Sequence, residues 1–138
     1  MALNFNKFKM ANENYIMQLS MIQEEAKKLE EQLSIITQQT REFEMLKESL
    51  DNIENIKSEK FLASLGKGVF VESKVENKEF FVNVGNNVVL KKNAKETKEI
   101  IDKQIKELNN IKNQIEKAIE NLNAELQHVI EEAQKHEG

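Results

Sequence analysis

The chain has 138 residues, enough for one or two small domains, with 32% charged and only 6% aromatic side chains. Without Cys it has neither a disulfide framework nor thiolate chemistry, and two His are too few for a multi-histidine metal site. A net charge of −4 leaves no footprint for nucleic acid, and no apolar run approaches the roughly 20 residues that span a bilayer. The first residues, Met1-Ala2-Leu3-Asn4-Phe5, lack the apolar core of a signal peptide, so the cytoplasm is the expected location.

The first expected element is a long helix over about 8–57. Tyr15, Leu19, Ile22, Ala26, Leu29, Leu33, Ile36, Thr40, Phe43 and Leu50 fall at alternating steps of four and three. This is the seam of a coiled coil. An amphipathic helix on a globular core would need a wider apolar stripe. Lys47 interrupts the series, and Leu46 beside it is expected to take its place while the lysine reaches for water.

The second element lies at about 61–91 and differs in composition. Gly66, Gly68 and Gly85 fall here, with Val69, Val71, Val75, Val82, Val84, Val88 and Val89. Valine is stiff at χ1 and favours strands, and glycine marks turns. Four short strands are expected: Phe61–Leu65, Val69–Val75, Glu79–Val84 and Val88–Lys91. Gly66-Lys67-Gly68 and Gly85-Asn86-Asn87 supply the hairpin turns. Val69, Phe70, Val71, then Phe80, Phe81, Val82, then Val88, Val89, Leu90 are apolar on both faces. Such strands need cover on both sides, and two hairpins alone are marginal in water. Assembly with the β regions of other subunits is the expected remedy.

The third element is a helix over about 94–136. Ile101, Ile105, Leu108, Ile115, Ile119, Leu122, Leu126, Val129 and Ala133 hold one seam, interrupted by Lys112 with Ile111 beside it as the expected substitute. Asn93 can cap this helix, with Glu96 three residues on as in a capping box. Glu99 with Lys103 and Asp102 with Lys106 are spaced for i,i+4 pairs. Both seams run about 42 residues, roughly 63 Å of helix. Equal lengths on either side of a turn-rich insert predict an antiparallel hairpin whose termini meet at one tip. The fold class is therefore α+β, mainly α: a long antiparallel coiled-coil hairpin with two β-hairpins inserted between its helices.

Apolar side chains off the seam at that tip are candidates for gripping other proteins. With Tyr15 at heptad position d, Met10 and Met17 fall at f, Met21 at c and Ile16 at e. Phe5 and Phe8 add apolar surface at the start of the chain, and in the returning helix Ile130 is at e. Methionine is flexible and polarizable and suits a promiscuous surface. The same residues could instead form a small local cap without function. His128 and His136, eight apart, are not an i,i+4 metal pair, and the many acidic residues read as a solvated coiled-coil face. No carboxylate pair or phosphate-binding loop suggests an enzyme, and no cofactor is expected.

Leu62-Ala63-Ser64-Leu65-Gly66-Lys67-Gly68-Val69-Phe70-Val71 resembles the leucine-glycine turn and valine-aromatic-valine strand of prefoldin alpha subunits. Val82-Asn83-Val84-Gly85-Asn86-Asn87-Val88-Val89-Leu90 resembles that family's valine-glycine turn and short apolar strand. The flanking arms and the length fit as well, and two hairpins resemble the alpha type more than the beta type. Ser64 stands where the family often has proline, a departure that bears on the first hairpin. The resemblance implies one prefoldin-like domain over 1–138, its β region joining a barrel platform shared between subunits. It implies a cytosolic, ATP-independent co-chaperone that holds non-native proteins at its tips and passes them to a group II chaperonin. Its partners would be prefoldin beta subunits, two alpha with four beta in a hexamer, with no part for nucleic acid or membrane. A structural coiled-coil adaptor and a filament-forming prefoldin-like subunit are the competing readings.

Overall fold

The computed structural model describes residues 2–56 and 60–137, with side chains for 13–56 and 60–135. In chain order the elements are α1 (Ala2–Glu54), β1 (Lys60–Gly66), β2 (Val69–Lys74), β3 (Glu79–Asn83), β4 (Val89–Asn93) and α2 (Ala94–Glu137). The strands make two separate antiparallel two-stranded sheets, β1 with β2 and β3 with β4. Contacts divide the chain into two compact units, Met1–Gln39 with Leu108–Gly138, and Thr40–Glu107.

In the first unit α1 and α2 pack through their seams. Ile22, Leu122 and Val129 form a buried cluster, with Tyr15, Leu19, Ala26, Leu29 and Leu126 packed against it. Residues near 15 and near 129 therefore meet, as an antiparallel pair of helices requires. Each fully buried side chain of this kind contributes roughly 1.5–3 kcal/mol.

In the second unit Leu50, Ile101 and Thr97 are buried. The first hairpin turns through Gly66, Lys67 and Gly68, all at positive φ (105°, 50° and 79°). Two glycines make that path accessible without strain, because an L side chain rarely adopts it. The ladder shifts register between Ser64 and Gly66. There Ser64 Oγ accepts the Gly66 N–H at 3.2 Å. The hydroxyl thus holds the turn by a bond that proline could not make. In the second hairpin Asn83 Oδ1 accepts the Gly85 N–H at 2.9 Å, and Asn86 and Asn87 adopt positive φ. Asparagine tolerates that region better than most residues.

The two lysines, and not their apolar neighbours, take the seam. Lys47 and Lys112 are half-buried on the seam face, whereas Leu46 and Ile111 are exposed (44% and 42%). The reason is angular. At about 103° per residue in a 3.5-residue turn, position a lies roughly 26° from the seam's midline and position g roughly 77°. Both lysines occupy a, so their stems pack where an aliphatic residue would, and the neighbours at g turn outward. The expected i,i+4 pairs are also absent among the described residues. Asp102 Oδ1 instead receives Lys47 Nζ at 2.6 Å from the other helix.

Candidate client-binding and assembly surfaces

Helical geometry fixes what α1 shows to water. Position f lies directly opposite the seam, c is next, and e flanks it. Met17 at f is 63% exposed, Met21 at c 66%, and Ile16 at e 63%. Three large apolar side chains within six residues are thus left uncovered in the first unit. Ile130 on α2 is half-buried beside Val129, so it adds less. Phe5, Phe8 and Met10 lie outside the residues whose side chains are described. Ile35 and Met45, which the heptad reading did not single out, are also exposed, as is Leu46, which it had placed on the seam. The signal was available: Ile35 repeats the position of Met21 two heptads on, and Met45 that of Met17 four heptads on.

The hairpins expose a second apolar surface. On β2, Val69, Phe70 and Val71 are all exposed, so neither face of that strand is covered within the chain. On the other sheet Phe81 is 73% exposed, and Val88, Val89 and Leu90 stand open, while Phe80 and Val82 are half-buried. Leu62, Leu65 and Val84 extend the surface. Among the described residues each strand pairs with one neighbour, so each sheet has two open edges there. Cross-strand charges flank the apolar residues: Lys60 with Glu72 at 3.3 Å, and Lys91 with Glu79 at 3.4 Å. The Lys91 ammonium also lies 5.7 Å from the centre of the Phe81 ring.

Salt links fasten the helices and the hairpin connection in the second unit. Lys78, between β2 and β3, donates to the Glu54 carbonyl at 2.6 Å and so caps the last turn of α1. Lys98 on α2 reaches both Asp51 and Glu54 of α1, the latter at 2.5 Å. Glu54 Oε1 is buried, and this ammonium supplies its counter-charge. Hydrogen bonds to Asp51 and then Glu54 raise the Lys98 pKa above the ordinary lysine value. Asn93 caps α2 through the Glu96 N–H at 2.8 Å. The Glu96 carboxylate lies 3.7 Å from Lys92 Nζ, in an ion pair across one turn.

Among the described residues no group of His, Cys, Asp and Glu could hold a metal ion. No helix there is long and apolar enough to cross a membrane.

The arrangement of a helix, two small hairpins and a returning helix has a counterpart among known proteins. The family model described as a prefoldin subunit matches residues 22–137. The chain belongs to the prefoldin family. Prefoldin subunit alpha 1 of Thermococcus kodakarensis is 32% identical over 92 residues, 65% of this chain and 63% of the relative. Prefoldin subunit alpha of Methanococcus maripaludis is 35% identical over 98 residues, 70% and 66% of the two chains. That of Methanosphaera stadtmanae is 24% identical over 89 residues, 64% of each. The matches thus span just under two thirds of these relatives' lengths, and they mark this prefoldin as one of archaeal alpha type. Among solved structures, filamentous PFD from Methanocaldococcus jannaschii, determined by cryo-EM, covers 90% of this chain and 98% of its own, with a TM-score of 0.55 and 25% identity. The prefoldin arrangement of two helices around two hairpins is therefore the fold of this chain.

Proposed function

We propose that this prefoldin is an ATP-independent holdase subunit that captures non-native proteins on the chain-terminal part of its coiled coil and delivers them to a group II chaperonin. The whole of 1–138 acts as one prefoldin-like unit. Its hairpins join those of prefoldin beta subunits in a barrel platform, two alpha with four beta, in the cytoplasm. The observation that carries the reading is an exposed apolar trio: Met17 and Met21 on the face turned away from the partner helix, and Ile16 at the flank of the seam. A structural adaptor would have polar side chains there. Apolar groups of this size gain roughly 1.5–3 kcal/mol each on burial against an unfolded chain. Thioethers adapt to many partner shapes. Changing Met10, Met17 and Met21 to Ser is expected to weaken suppression of client aggregation by at least about tenfold while leaving assembly intact. Unchanged suppression would count against the assignment.

A second reading is a self-assembling, filament-forming subunit, favoured by the similarity to filamentous PFD. Native mass of the chain alone and with a beta-type partner separates the two. A discrete hexamer supports the first reading, and a ladder of masses the second.

A further inference from the structure

The sulfur of this protein is distributed unevenly. There is no Cys, and the five Met residues all belong to the first 45 positions. No seam position of either helix carries sulfur, whereas Met17 and Met21 are among the most exposed apolar side chains of α1. They stand one turn apart, at i and i+4, where side chains on a helix are neighbours. In a chain without thiols an exposed thioether is the group most open to two-electron oxidation.

We propose that Met17 and Met21 form a reversible oxidation switch, with hydroperoxides as the oxidising substrate class. The proposal rests on the client-binding reading above. The sulfur attacks one peroxide oxygen. The S–O bond forms and the O–O bond breaks. The departing hydroxide takes up a proton and leaves as water, or as an alcohol from an organic peroxide. Each methionine loses two electrons and becomes a sulfoxide, while the peroxide gains two. An apolar, flexible side chain thereby becomes a strong hydrogen-bond acceptor that water solvates well. The helix tolerates the change because both side chains face away from the buried cluster of Ile22, Leu122 and Val129. The surface loses its apolar character while the coiled coil keeps its seam.

The test uses the full chain in its assembled form, hydrogen peroxide as the oxidant and thermally unfolded citrate synthase as the client. Peptide mass spectrometry establishes sulfoxide at 17 and 21. Oxidation is expected to raise the amount of chaperone needed for equal suppression about tenfold, with helical content unchanged. Methionine sulfoxide reductases acting on both epimers restore the starting activity. In a Met10→Leu background the double change Met17→Leu and Met21→Leu, compared with its own untreated level, is expected to leave suppression unmoved by peroxide. Met45→Leu, at a site of similar exposure in the second unit, responds as wild type does. The proposal is overturned if wild type with both sulfoxides established suppresses aggregation as well as before. It is overturned equally if the double leucine variant loses as much as wild type. Failure of the untreated protein to suppress aggregation at all is a different result: it refutes the client-binding reading and takes the switch with it.

Discussion

Asn93 ends β4 and begins α2, and its groups divide the work. Its backbone is in register with Glu79 across the sheet, its Oδ1 accepts the Glu96 N–H, and its carbonyl accepts the Thr97 hydroxyl at 2.7 Å. Thr97 is buried and so needs that partner. Asn93→Ala should cost about 1 kcal/mol in denaturant unfolding, with Asn93→Ser recovering most of it. Lys98 makes a sharper claim about pH. Its folded pKa is raised, so the unfolded chain releases its proton first as pH climbs. The stabilisation from Asp51 and Glu54 is complete below the ordinary lysine value of 10.5 and fades above it. Thermal midpoints of wild type and Lys98→Met should therefore differ most near pH 8 and converge in strong alkali. The difference should stay modest, because the group is close to solvent and water screens the pair.

For the helices the decisive residues are those that break the pattern. A lysine at position a costs burial energy, and its ion pair repays little: exposed pairs contribute roughly 0.2–1 kcal/mol. Lys47→Met keeps the stem volume and removes the charge. It should stabilise the chain by roughly 1 kcal/mol, read from urea unfolding. A loss of stability would mean that the 2.6 Å contact with Asp102 outweighs the cost of placing the ammonium at the seam. For the hairpins, local chemistry suffices. Glycine and asparagine at positive φ set the turns, while Ser64 and Asn83 each accept a glycine N–H two residues on. The 4-3 seams were legible because burial repeats with the helix. The places of Lys47 and Lys112 were misjudged because apolar neighbours at g looked like substitutes, although the angle decides against them.

At the scale of the whole molecule the exposed strands matter most. Phe70 and Phe81 are mostly exposed within the chain (57% and 73%), so replacing them should disturb its own folding little. Burying each in a partner is worth roughly 2–3 kcal/mol. Phe70→Ser and Phe81→Ser should therefore each weaken subunit association about 30- to 150-fold, measured as native mass against dilution, with the helical signal retained. Equal loss of helix and of mass would show that the hairpins support the monomer itself. The candidate surfaces were partly legible: strands apolar on both faces marked the hairpins as uncovered, and heptad position picked out Met17 and Met21 as exposed. The half-burial of Ile130 could not be read from its position e, because flanking positions depend on how closely the partner helix approaches.

The amino-acid order alone determined the two seams, the hairpin turns and the apolar strands, since each is written in spacing or in residues whose backbone preferences act locally. Only the tertiary structure decided which charges meet. Lys47 with Asp102, Lys78 with the Glu54 carbonyl, and Lys98 with Asp51 and Glu54 join residues far apart in the chain. With 44 charged side chains present, from 20 basic and 24 acidic, composition permits hundreds of such pairings. A charge has no period that names its partner, so the packing of α1, α2 and the hairpins had to select among them.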